Sequence, residues 1–380
     1  MQVDCKKILD IERNSFNFTD GVGKMSPVVA RLLTEEMLKP QRRPSADYQS
    51  SCFQFRLAGC KGVLALDPNV PNLEIHIRDS QEKFWSSHDK LEIIRYSQFA
   101  SASLNRQLIQ VMSSLGVPDE FFKKRLRALL RDYTEAESNP NKALELLMKH
   151  IDPNHMTLSI ANLVRGGFMD CQEPFVMSLI RLWRSWTVKS LKEKAKIILD
   201  DGAFVLGVVD ETATLRGYYE DAPEDELPQI FCQISPPLSK KRKIITGRCV
   251  VTRNPSLHPG DVRIVEAVDR PELHHLVDVV VFPQTGTRDV PSMLSGGDLD
   301  GDDYVVIWDE ELIAPGVLIN EPPASYIGNK AEGLDRDVNI GDITKFFVDY
   351  MKNDRLGAIA NAHLAWADRF PEGVKSNTCT

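Results

Sequence analysis

The sequence predicts an α+β fold in which two β regions are joined and flanked by helices. Three observations predict it. Phe53 to Tyr96 is a run of short strands broken by tight turns. Asp119 to about Leu199 carries apolar residues at helical spacing. From Ala203 to Trp308 six further segments follow, many of them apolar throughout, as in strands buried on both faces.

Taken in order, Phe16 to Lys24 reads as a strand end entering a glycine turn. Ser26-Pro27 has the form of an N-cap followed by proline at the first helical position. Val28, Val29, Leu32, Leu33 and Met37 then supply one apolar helix face. Lys39 to Ser51 is polar and proline-bearing, a loop. Strands are expected at Cys52 to Leu57, Gly62 to Leu66, Leu73 to Arg78 and Leu91 to Phe99, and a helix at Leu104 to Leu115, closed by Gly116 and Pro118. Two helical stripes follow around Phe121 to Tyr133 and Ala143 to His150. Ser178 to Leu199 is an amphipathic basic helix, with Asp201-Gly202 as its end. The six later strands are Ala203 to Val209, Gln229 to Ile234, Lys243 to Arg253, Val262 to Ala267, Val277 to Phe282 and Tyr304 to Trp308. Helices return after Asp342, with Phe346, Phe347, Tyr350 and Met351 on one face, and the polar end Glu372 to Thr380 is expected to fray.

The 380 residues suffice for more than one core. No apolar run of about eighteen residues exists, so no transmembrane helix is expected, and Met1 to Lys7 lacks the apolar centre of a signal peptide. Seven cysteines stand singly without a CxxC pair, which points to free thiols in an intracellular, reducing compartment, cytoplasmic or nuclear, and away from a zinc site. His150, His155 and the pair His274-His275 read as structural. The net charge of −8 argues against a broadly basic nucleic-acid surface. The basic run Ser239 to Lys243 reads first as a solvated charge run.

The chemistry concentrates in Ser295-Gly296-Gly297-Asp298-Leu299-Asp300-Gly301-Asp302-Asp303, which leads into an apolar strand. In an extended chain alternate side chains share a side, so Asp298, Asp300 and Asp302 would face one way. Three clustered carboxylates repel unless a cation lies between them, and an all-oxygen donor set suits Mg2+. A plain solvated acidic turn is the rival reading. A calcium EF-hand fits poorly, because Asp303 and Asp309 stand where that loop needs glycine and glutamate. A phosphohexomutase metal loop would need a phosphorylatable serine loop, and no convincing candidate for it exists.

Other stretches stand in a definite order: Asp20-Gly21-Val22-Gly23, Gly59-Cys60-Lys61-Gly62-Val63, Asp210-Glu211-Thr212, Asn254 to Arg263, Leu273 to Asp278, and Asn353 to His363. With the acidic run they resemble the cellular RNA-dependent RNA polymerases of eukaryotic RNA silencing, over nearly the whole chain. The resemblance implies two double-psi β-barrels, similar to those of the large subunits of DNA-dependent RNA polymerases, with the metal loop in the second. It implies that Asp298, Asp300 and Asp302 hold Mg2+ and that Lys61 and Lys83 from the first barrel complete the catalytic set. Arg253, in Arg253-Asn254-Pro255-Ser256-Leu257-His258, would contact the ribose, and Asp303 would lie on the NTP side. Lys61 is then expected across the cleft from the aspartates, within about 10 Å, a span that a metal-bound triphosphate bridges.

The expected division is 1–116, a first barrel region with flanking helices; 117–200, a helical connector; 201–312, a second barrel with the metal loop; and 313–380, a truncated helical segment. The expected activity is Mg2+-dependent, RNA-templated transfer from NTPs to an RNA 3′-hydroxyl in RNA silencing. The expected partners are RNA template and product, NTPs and small-RNA-processing proteins, with no membrane. Family members extend further at both ends, so a fragment or truncated product is expected. An inactive nucleic-acid-binding module and a Mg2+-dependent phosphotransfer enzyme on a small phosphorylated substrate stay open.

Overall fold

The computed structural model describes residues 3–38, 49–152, 154–223, 225–236, 241–314, 316–326, 328 and 333–379. The first β unit contains β1 (Asp4–Ile8), the small hairpin β2 (Glu12–Arg13) and β3 (Phe16–Asn17), β4 (Val22–Met25), helix α1 (Pro27–Leu38), β5 (Cys52–Leu57), β6 (Cys60–Leu66), β7 (Glu74–Arg78) and β8 (Glu92–Tyr96). Ser26 caps α1, its hydroxyl accepting the Val29 N–H at 3.3 Å. Six of these strands form one sheet in the order β1-β7-β4-β6-β5-β8, parallel at β1/β7 and β4/β6 and antiparallel elsewhere. The loop expected from Lys39 lies, over residues 39–48, outside the described residues, as do Ser239 and Lys240 of the basic run.

The second unit follows a short strand and five helices: β9 (Ala100–Ser103), α2 (Arg106–Ser114), α3 (Asp119–Glu135), α4 (Pro140–Lys149), α5 (Met156–Arg165) and α6 (Pro174–Lys194). Its strands are β10 (Ile198–Val209), β11 (Gln229–Ile234), β12 (Lys243–Ile244), β13 (Gly247–Arg253), β14 (Val262–Ala267), β15 (Val279–Phe282) and, after α7 (Val290–Met293), β16 (Asp303–Ile307). Six of them close on themselves in the ring β11-β14-β13-β16-β10-β15-β11. Parallel pairings at β11/β14 and β10/β15 cross otherwise antiparallel strands, the double-psi pattern. Closure removes the exposed edges that an open sheet would present.

The strands alternate between two cores. On β16, Tyr304 and Val306 point into the core shared with the first unit, while Val305 and Ile307 pack against the helices. Helices cover the outer face, so both faces are dry, and this is why these strands read as unbroken apolar runs. The expected α+β class is therefore present, with a closed β-barrel in the second unit and a six-stranded sheet in the first. Between the units, Glu211 accepts from Arg78 at 2.9 and 3.1 Å and from Lys24 at 2.8 Å.

Three local expectations change. Asp201-Gly202 lies inside β10, because α6 ends earlier, at Ala195, which takes a left-handed conformation and returns its N–H to Leu191. β9 and α2, read from the sequence as part of the first β region, pack on the second unit: β9 pairs with β10, and α2 enters the helical core. The C-terminal end does not fray over its described residues. Val374 is fully buried, and its N–H reaches the Ser114 hydroxyl at 3.1 Å. Helices α8 (Glu310–Ile313), α9 (Ile340–Asn353) and α10 (Leu356–Arg369) complete the chain. The apolar face of α9 is solvent-exposed, with Phe346 73 % accessible. The seven cysteines are free thiols, and no helix among the described residues is long and apolar enough to cross a membrane.

Candidate active site

The acidic run forms the turn between α7 and β16. Asp289 caps α7 by accepting the Ser292 N–H at 2.8 Å, and the chain then bends through Ser295, Gly296 and Gly301, all with positive φ. The carboxylates therefore converge through a turn, not along an extended strand. Leu299 is buried beneath them. One oxygen from each of Asp298, Asp300 and Asp302 lies within 4.8 Å of the others.

This turn sits on the first β unit. The Leu299 N–H donates to the Asp20 carbonyl at 2.8 Å. A Cβ on Gly21 would lie 2.4 Å from the Cβ of Asp300, and one on Gly301 would lie 2.0 Å from the Gln54 amide nitrogen. Both positions also have positive φ, so glycine there permits two backbones to meet at the acidic cluster.

The cations are unevenly shared. Lys61, on β6 of the first unit, forms an ion pair with Asp300, and that bond raises the Lys61 pKa. Arg253, at the end of β13, holds Asp302 at 2.5 Å through Nε and 3.1 Å through Nη2, and its Nη1 donates to the Ser295 carbonyl at 3.2 Å. Arg95 pairs with Asp303 at 2.6 Å and also donates to the Gly301 carbonyl and, at 3.1 Å, to Gln54. Asp298 has no such cation among the described residues. Burial, then the charges of Asp300 and Asp302, push its carboxyl up to about 7. The fully buried Tyr304 hydroxyl donates to the Asp298 carbonyl at 2.7 Å and fixes the turn from below.

Of the residues singled out from sequence, the three aspartates, Lys61 and Arg253 thus meet in one cluster. Asp303 sits beside it but is turned to Arg95. Lys83 is exposed and donates to the Ser80 carbonyl at 2.7 Å; its charge acts on Asp20, not directly on the triad. Sequence reasoning did not assign roles to Asp20, Gln54 or Arg95. Asp20 is half-buried, and burial raises its pKa, with Asp10 and Asp300 adding to the rise. The glycines beside it were its signal. Arg95 had none, since it reads as a strand charge. A cavity of about 250 Å³ opens next to Asp298, lined among others by Asp20, Phe16, Phe18 and Ser292.

The family model for RNA dependent RNA polymerase matches residues 1–380. This chain belongs to the RNA-dependent RNA polymerase family. RNA-dependent RNA polymerase 1 of Schizosaccharomyces pombe is 42% identical over 397 residues, covering 99% of this chain and 32% of that protein. RNA-dependent RNA polymerase 1 of Arabidopsis thaliana is 38% identical over 363 residues, covering 95% of this chain and 31% of that protein. A solved structure, RNA dependent RNA polymerase QDE-1 from Thielavia terrestris, aligns with a TM-score of 0.62 at 22% identity, over 87% of this chain and 37% of that one; this likeness concerns the fold. The chain spans about a third of the length of the curated relatives it matches.

Within this polymerase-family fold, the donor set is made of carboxylate oxygens alone, which suits a hard cation. Protein cations neutralise Asp300 and Asp302, and Asp298 is left uncompensated among the described residues.

Proposed function

We propose that this chain is the catalytic core of an RNA-directed RNA polymerase, which transfers a nucleotidyl group from an NTP to the 3′-hydroxyl of RNA on an RNA template. The observation that carries this reading is the meeting of three carboxylates from one β unit with Lys61 from the other. Asp298, Asp300 and Asp302 would hold Mg2+. When bound, Mg2+ supplies Lewis-acid activation of the attacking hydroxyl and charge compensation at the phosphates.

The chain's own groups do the rest. Lys61 is poised to pass its ammonium from Asp300 to a phosphate oxygen, which places a positive charge where transfer builds negative charge. Arg253 is anchored on Asp302 and the Ser295 carbonyl and presents its remaining N–H groups for a ribose hydroxyl. Asp303 holds Arg95 against the Gly301 carbonyl and so keeps the turn in shape on the NTP side. Lys83 contributes from the Asp20 flank. The pairing of β9 with β10 supports ending the first β unit just before Ala100, with the helical connector, the second barrel at 201–312 and the C-terminal helices following. The resemblance supports a role in RNA silencing, with small-RNA-processing proteins as partners, in the cytoplasm or the nucleus.

The test is template-directed incorporation of labelled NTPs in Mg2+. Asp300→Ala should abolish incorporation while circular dichroism shows the parent's fold. Full incorporation by that variant would overturn the assignment.

A further inference from the structure

A second cavity, of about 170 Å³, lies away from the acidic turn, at the seam between α6, β9 and β10. That is many times the roughly 10–15 Å³ that one water needs on the same measure, so a group larger than water can enter. Its wall includes Trp183, which is nearly buried, and Trp186, which is 57 % exposed at the rim. Lys196 reaches over the Trp186 ring at 6.0 Å from the centroid. No ion pair closes on Lys196 among the described residues; burial lowers its pKa, and the charge of Asp152, in the same wall, only partly offsets that. The hydroxyls of Ser103 and Ser190 and the side-chain NH2 of Asn254 line the same space and make no hydrogen bond among the described residues.

These features match the chemistry of one nucleotide of a single strand. An indole offers a stacking face, an ammonium faces an anion, and unengaged donors and acceptors can meet a base edge. Asn254, which follows Arg253 in the chain, contributes to the wall of this cavity, while the Arg253 guanidinium holds Asp302.

We infer that this cavity is a docking subsite for single-stranded RNA, in which one base stacks on Trp186 with its phosphate at Lys196. It rests on the polymerase reading for the choice of RNA but uses none of the acidic turn. A free nucleotide shares the same chemistry, and the experiment separates the two.

Binding of a short fluorescein-labelled single-stranded RNA to the full chain is measured by anisotropy in EDTA, where no transfer occurs. Trp186→Ala should weaken binding about fivefold to a hundredfold, the range of losing one stacked base. Lys196→Gln should weaken it and flatten the salt dependence by about 0.7 in log–log slope, the loss of one phosphate contact on a single strand. Both variants should melt close to the parent, because Trp186 is exposed and Lys196 makes no ion pair among the described residues. Binding is read in EDTA and incorporation in Mg2+, so a failed metal site and a failed RNA subsite give different results. RNA carrying 4-thiouridine should photocross-link to the peptide containing Trp186. Parent-like binding by both variants, or cross-links confined to other segments, would overturn the inference. So would ATP displacing the labelled RNA at concentrations comparable to the RNA itself, since the cavity would then be a nucleotide site.

Discussion

Asp298→Asn should stabilise the metal-free protein, although it removes a proposed metal ligand. Asp298 is the member of the triad without a cation, and its carboxyl is lifted from 3.8 to about 7. Such a lift corresponds to a ceiling of about 4 kcal/mol of unfavourable ionisation, from about 1.4 kcal/mol per pH unit. Solvent reaches part of the group, and screening brings the expected figure to about 2 kcal/mol. The direction follows from proton counts. Between pH 4 and pH 7 the folded state keeps a proton that the unfolded state has lost, so stability drains away as pH rises through that window. Asparagine mimics the protonated form. Its advantage is therefore near zero at pH 4, grows up to pH 7 and is flat above. Urea unfolding in EDTA, followed by far-ultraviolet circular dichroism at pH 5 and pH 8, reads this directly. Adding Mg2+ at pH 8 to tenfold above its Kd should stabilise the parent by about 1.4 kcal/mol and leave the variant unmoved. An equal gain at pH 5 and pH 8, or none at pH 8, would refute the reasoning, because the strain would then not be electrostatic.

Glu211→Gln should cost about 3 kcal/mol in urea unfolding, since it strips the carboxylate from the buried Arg78 guanidinium and from Lys24 at the seam between the units. Lys61→Ala should cost under about 1 kcal/mol of stability, because the pair with Asp300 is partly solvated. The same variant should lower NTP incorporation at least tenfold in kcat, the mark of a group whose contact matters at transfer; parent-like kcat would remove Lys61 from the mechanism.

What the sequence made legible follows from range. The spacing of Asp298, Asp300 and Asp302 and the glycines around them are local signals, and they located the cluster. The same local view mistook how it forms, because positive φ at Ser295, Gly296 and Gly301 replaces the extended path. Strands β13 and β16 were readable as apolar runs, since helices cover the barrel's outer face. Pairings across the chain were not. Arg95 meets Asp303 across 208 residues, and Glu211 meets Arg78 across 133, and neither side chain carries a mark of its partner in sequence. The boundary near residue 116 was unreadable for the same reason: only pairing with β10 shows which unit β9 serves. The burial of Val374 likewise depends on a pocket made by α2, some 260 residues earlier.

The hydrogen bond from Leu299 to the Asp20 carbonyl, with Gly21 pressed under Asp300, makes the acidic turn a rivet between two bodies. A rivet transmits load both ways. Whatever pries the two β units apart must break the Lys61–Asp300 pair and free the Asp300 carboxylate, and anything that binds Asp300 more tightly once Lys61 has left must favour the opened seam by the same free energy. Cleft width and the charge carried by the turn are then one variable seen from two ends.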